Sequence, residues 1–252
     1  MSDFNRNVTA RGGFADRTAA VDAGLRTYML RVYNYMGAAV ALTGVVAWLC
    51  FQNAVVTNEA GAITGLTSFG QMLLGGYTPI VLMLATLGLV FFISFRIHTL
   101  QYTTALALFM VYAALLGAAL TSIFVAYTGA SVARVFFISA ASFGALSLYG
   151  YTTQRDLSAM GSFLIMGLFG IIIASLVNIF LKSSGLDWAI SVIGVGVFAG
   201  LTAYDTQRIK EMYDSMDDDG TIGRKAVMGA LSLYLDFINL FLMLLRLVGD
   251  RR

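Results

Sequence analysis

Seven runs of about twenty apolar residues, set apart by short polar connections, constrain this chain more than any other feature. They fall at 32–51, 78–95, 103–127, 132–151, 158–181, 188–204 and 227–248. At a rise of about 1.5 Å per residue, runs of this length span a hydrocarbon layer of about 30 Å as helices. Backbone amides and carbonyls find no water at that depth and must bond to one another, which selects helices over open strands. A transmembrane β-barrel would need alternating segments of about ten residues, and the sequence has none. The expected fold is therefore all-α and integral to the membrane, with seven transmembrane helices in one domain over residues 28–250. Residues 1–27 are polar and mixed in charge, without the apolar stretch of a secretory signal. They are expected to form a cytoplasmic N-terminal tail, with an interfacial helix near 21–29.

Composition narrows the chemistry. Of 252 residues, 58% are hydrophobic and 12% charged, which removes the soluble-domain alternatives. The single cysteine, Cys50, excludes an intramolecular disulfide and a thiolate cluster, and the single histidine, His98, argues against a histidine-built metal site. No long basic run is present to track phosphates, so nucleic acid is not an expected partner. No cofactor is expected either. Small residues recur at Gly37, Ala38 and Ala39, at Gly117, Ala118 and Ala119, and at Gly196 and Gly200. These read as close helix packing. Tyr33, Tyr77, Tyr127, Tyr151 and Trp188 sit where aromatic side chains anchor a helix at the interface.

Lysine and arginine give the orientation. With the N-terminus inside, eleven of the sixteen fall on the cytoplasmic side, from Arg6 and Arg96 to Arg155, Arg208 and Lys225. The outer side holds Arg134, Lys182, Arg246, Arg251 and Arg252, and the long 52–77 connection carries only Glu59. The expectation is a cytoplasmic N-terminus and an outer C-terminus. Arg251 and Arg252 leave open a re-entrant last segment after six crossings.

Against this apolar background three ionisable groups stand out. Asp236 lies nine residues into the last run, roughly 13 Å deep on a helical rise. Asp205 ends the sixth run, in GLTAYDTQRIK, and Arg96 ends the second, in LVFFISFRIHT. All three belong to the inner half of the bilayer. An ionised group at such depth is costly, so a buried acid there points to function. Two carboxyls in one dry site tend to share a proton, and an arginine fork competes for the ionised form. Deprotonated, the same oxygens would suit a hard cation such as calcium. Bland alternatives exist: Arg96 snorkelling to the interface, and Asp205 pairing with Arg208 about one turn on. His98, beside Arg96, reads as a solvated interfacial histidine. The acidic stretch EMYDSMDDDGTIGRK departs from a calcium-binding EF-hand loop, with Ser215 at the first ligand position and Ala226 in place of the bidentate glutamate. It reads as a solvated loop.

GLTAYDTQRIK, followed about thirty residues later by ALSLYLDFINLFLMLLRL, resembles the signature of the Bax inhibitor-1 family. The early LRTYMLRVYNYMGAAVALTG resembles that family's first segment, so the likeness spans nearly the whole chain. The resemblance implies a seven-helix fold with the last helix central in the bundle. It implies a pH-sensitive calcium leak of the type found in bacterial members, residing in the inner membrane. It places a paired-aspartate sensor on Asp205 and Asp236, both also possible calcium ligands, and a latch arginine on Arg96.

The function expected from the residues and the resemblance together is a proton-gated calcium leak, in which acidification frees Asp205 from Arg96. The competing class is an interaction protein acting on membrane-protein partners, such as a membrane protease or a stress or cell-death pathway. An aspartyl protease of the presenilin type is disfavoured. Tyr204-Asp205 supplies one of its motifs, but Asp236 lacks the flanking glycines of the other. The chain is not expected to be an enzyme. A coupled transporter finds no internal repeat in its favour.

Overall fold

Every apolar run forms a helix. The computed structural model describes residues 3–58 and 62–252, with side chains from residue 21 onward within that range. Helix α1 (Asp3–Ala54) leads into a short antiparallel hairpin of β1 (Val55–Thr57) and β2 (Ile63–Leu66), then a short helix, α2 (Ser68–Leu74). There follow α3 (Thr78–Arg96), α4 (Tyr102–Ala119), α5 (Thr121–Ala126), α6 (Gly129–Thr152), α7 (Ser158–Leu181), α8 (Ser184–Glu211) and α9 (Asp219–Val248). Seven stretches are long and apolar enough to cross a membrane: Val21–Ala54, Thr78–Arg96, Tyr102–Ala126, Gly129–Thr152, Ser158–Leu181, Ser184–Glu211 and Asp219–Val248.

The sequence-read boundaries differ from these in instructive places. Helix α1 starts at Asp3, so the stretch expected as a tail is continuous with the first span. Tyr28, Met29 and Val32 are already buried. The side chains of Arg6, Arg11 and Arg17, counted in the orientation argument, and the whole of Glu59 lie outside the described residues. The 52–77 connection, expected as a loop, holds the hairpin and α2. Its β-branched Val55, Val56, Thr57 and Ile63 favour a pleated backbone, and Gly70 of α2 lies directly on the backbone of Ala54. The third run is broken between α4 and α5, at Leu120.

Burial ranks the spans. In the apolar stretch of α9, 67% of the residues are buried, against 11% in those of α3 and of α7. Phe95, Phe163, Met166 and Phe180 point outward, as lipid-facing side chains do. Helix α9 packs on α1, α4, α6 and α8; α7 packs on α8, and α3 chiefly on α4. Helix α9 has 30 residues, or about 45 Å. It is one uninterrupted helix, long enough for a single crossing and without the break at which a re-entrant segment turns back.

Aromatic and hydroxyl contacts fix the rotation of α9. Tyr234 is fully buried; its hydroxyl meets Thr43 Oγ1 of α1 at 2.7 Å and its ring sits edge-on to Phe109 and Tyr112 of α4. Phe237 packs edge-on against Phe136 and Phe143 of α6. With two faces occupied, residue 236 is left facing α8. The far end is tied down as well. Asp250 pairs with Arg134 at 2.8 Å, the Asp250 amide donates to Ser131 Oγ, and Arg252 donates to the carbonyls of Ala126 and Tyr127. Arg246 reaches Asp187 in the first turn of α8 at 3.8 Å. Four of the five cations assigned to the outer side are thus engaged with carbonyls, carboxylates or rings at the same end of the bundle.

Candidate functional site between the last two helices

Helices α8 and α9 run antiparallel, and two glycines set their register. Gly229 lies against Ile209 and Gly194 against Met243; a Cβ at either position would press into its neighbour. That register brings Asp205 within one turn of Asp236. The two carboxyl groups face each other closely enough to interact. Asp236 is 5% exposed, and its Oδ2 finds no hydrogen-bond partner among the described residues. An ionised carboxylate only accepts hydrogen bonds, so a bond between two carboxyls requires one of them to carry a proton.

The charges around the pair are few. Arg208 bears electrostatically on Asp205, and the charge bearing on Asp236 is that of Asp205 itself. Arg96 is exposed at the end of α3 and forms no ion pair with either acid among the described residues. The structure therefore brings together two of the three groups singled out in the sequence, and leaves the third at the same end of the bundle. No cluster of three or more His, Cys, Asp or Glu side chains suited to a metal occurs among the described residues.

The rest of the DTQRIK stretch holds α8 in place. Thr206 Oγ1 meets Ser147 Oγ of α6 at 2.9 Å, and Ser147 meets Tyr33 Oη of α1 at 2.6 Å, so a string of three hydroxyls crosses from α8 to α1. Gln207 accepts from the Leu157 amide and donates to the Arg155 carbonyl, which clamps the α6–α7 connection. Lys210 donates to the Tyr151 carbonyl and sits over the Tyr151 ring. Gly150 of α6 and Gly161 of α7 complete the seat. A Cβ on the first would collide with the Ala203 carbonyl, and on the second with the Tyr204 ring. Sequence reasoning passed over Thr206, Gln207 and Lys210. The signal was present: polar residues at consecutive positions at a span's end need partners wherever they are buried.

The acidic 214–219 stretch is a structured turn rather than a cation loop. Asp217 pairs with Lys225, whose Nζ also donates to the Met212 carbonyl. Asp218 caps α9 by accepting from the Thr221 amide at 3.1 Å and the Thr221 hydroxyl at 2.6 Å, bonds that hold its carboxyl below the ordinary range.

Comparison with known proteins agrees with this architecture. The family model described as "Inhibitor of apoptosis-promoting Bax1" matches residues 25–252. The chain is 49% identical to the inner membrane protein YbhL of Escherichia coli over 232 residues, covering 91% of this chain and 94% of that protein. It is 48% identical to an uncharacterized protein of Rickettsia prowazekii over 257 residues and 44% identical to one of Caulobacter vibrioides over 259, each match covering both chains in full. Seven apolar spans, a family match from the first span onward and full-length relatives lead to one conclusion: the chain is an integral membrane protein of the Bax inhibitor-1 family.

Proposed function

We propose that the protein is a pH-gated calcium leak of the inner membrane, with Asp205 and Asp236 as its proton sensor. One observation carries this reading: two acids from different helices lie close enough to interact, and among the described residues Arg208 is the cation that bears on them. Removing the shared proton leaves two carboxylates side by side in a site of low polarity, and like charges that close repel strongly. The repulsion is relieved when Asp205 turns to a guanidinium. Arg208 is one candidate, and Arg96, at the end of the lightly buried α3, is the latch in the second conformation. Acid restores the proton, frees the arginine and favours the leak. In this reading the conformation described here, with the acids joined and Arg96 released, is the one acid favours.

Calcium enters as cargo. Two carboxylates offer four oxygens at most, short of the six to eight a bound calcium takes, so the pair suits an ion in passage better than a resident one. The enzyme alternative is set aside on motif grounds: Asp236 has Leu235 and Phe237 beside it where a presenilin-type protease needs glycine.

Purified chain in liposomes loaded with a calcium dye tests the reading. An Asp205→Asn, Asp236→Asn double variant leaking as the wild type does would remove the site assignment. The family description favours a second reading, a regulator that binds membrane-protein partners in a protease or stress pathway. Absence of flux, with partners co-purifying from native membranes, would select it.

A further inference from the structure

A second charged site lies apart from the acid pair, where α3, α8 and α9 end on the same face of the bundle. A cavity of about 320 Å³ is lined there by Ile97 and His98 after α3, Arg208 and Met212 of the α8 end, and Arg224 and Met228 of α9, with Lys225 and Thr221 at its edge. Three of the lining residues carry a full positive charge, and His98 adds a ring N–H donor. Lys225 is neutralised by Asp217. Arg224 donates to Thr221 and feels the capping Asp218 at longer range. Neither Arg208 nor Arg224 forms an ion pair among the described residues. Arg224 thus lines the cavity without an ion pair and Arg208 bears on Asp205 without pairing with it, and both share the lining with Ile97, Met212 and Met228.

We propose that this cavity binds the phosphate headgroup of an anionic phospholipid. The shape of the chemistry argues for it. Guanidinium forks pair bidentately with phosphate oxygens, and basic pockets between spans on one side of a membrane recognise lipid headgroups. A soluble phosphate would need only the cations. The apolar lining residues Ile97, Met212 and Met228, at the ends of three candidate spans, fit a phosphate attached to an acyl glycerol. The source is therefore the lipid; Arg208 is shared with the acid pair, and lipid retention is read separately from any leak.

The full-length chain in detergent, titrated with phosphatidylglycerol and with phosphatidylcholine and read by native mass spectrometry, tests this. The expected result is one phosphatidylglycerol retained per chain in preference to phosphatidylcholine. Arg208→Gln with Arg224→Gln weakens that binding by about tenfold or more, the scale of two lost charge-assisted bonds. Arg155→Gln, an exposed cation on the same face outside the cavity, leaves it unchanged. A large excess of inorganic phosphate does not displace the lipid. A photoactivatable phosphatidylglycerol on the wild-type chain labels residues 208–228, a readout that needs no variant. Binding unaltered in the double variant, an equal loss in Arg155→Gln, displacement by inorganic phosphate, or labelling elsewhere would each overturn the assignment.

Discussion

Asp236 in α9 and Asp205 in α8 lie close enough for their carboxyls to interact, and neither pairs with an arginine among the described residues. Tyr234, two residues earlier, is bound to α1 and α4, so α9 cannot turn its acid away without breaking the Tyr234–Thr43 hydrogen bond. The acid pair thus sits on the most buried of the spans, which packs on α1, α4, α6 and α8; in the proposed function a change in its protonation would act on those contacts.

The hydroxyl pair that orients α9 predicts an asymmetry. Thr43→Val strands the Tyr234 hydroxyl in a buried site at a cost of about 1 kcal/mol or more. Tyr234→Phe costs less, because Thr43 keeps the Ala39 and Ala113 carbonyls as acceptors, each at 2.9 Å. Thermal unfolding in detergent should rank wild type first, then Tyr234→Phe, then Thr43→Val. The reverse order of the two variants would contradict the role given to this bond.

Two glycines of α6 should behave oppositely. Gly150→Ala drives a methyl into the Ala203 carbonyl and separates α6 from α8, a strain of about 1–3 kcal/mol. Gly144 has nothing within 4 Å of a Cβ. Alanine there is neutral or mildly stabilising, since it is the better helix former. Melting temperatures of the two variants check the contact directly.

The seven spans were legible because each is an unbroken apolar run, and Asp205 and Asp236 were legible because an acid in such a run has few structural excuses. The ends were not. Helix α9 begins at Asp219, eight residues before its apolar run at 227, because Asp218 caps it and Lys225 ties its first turns to the preceding loop. The work of Thr206, Gln207 and Lys210 depends on which helix lies next door, a relation that no local spacing encodes. Arg96 is grouped with the acids by depth and by the family resemblance, and neither says which helices are neighbours. The hairpin after α1 is hard to read although Val55, Val56 and Thr57 are good strand formers, because strands of three and four residues are too short to show a period-two alternation.

The charge count favours a cytoplasmic N-terminus, an expectation open to a direct check. Met216, between α8 and α9, and Tyr77, before α3, are both highly exposed, at 89% and 83%, and stand at opposite ends of the bundle. In a Cys50→Ala background, Tyr77→Cys should react with a membrane-impermeant maleimide in intact cells and Met216→Cys only after lysis. The opposite labelling pattern would invert the topology.

The cap on α9 predicts a modest acid sensitivity. Asp218 ionises more readily in the fold than in the unfolded chain, owing to its bonds to Thr221. Its contribution is therefore present above the ordinary carboxylate range and is lost as the pH falls through the lowered value. Asp218→Ala should reduce the melting temperature at neutral pH and narrow its gap to wild type in strong acid. A gap independent of pH would argue against the carboxylate as the capping group.

Calcium efflux from dye-loaded proteoliposomes, followed as the pH is stepped from 8 to 6 for the wild type, Asp205→Asn and Asp236→Asn, bears most directly on the acid pair as a sensor. The account predicts a wild-type leak that increases on acidification and single variants whose leak no longer follows pH. A wild-type leak indifferent to pH, or variants that keep the wild-type profile, would contradict it.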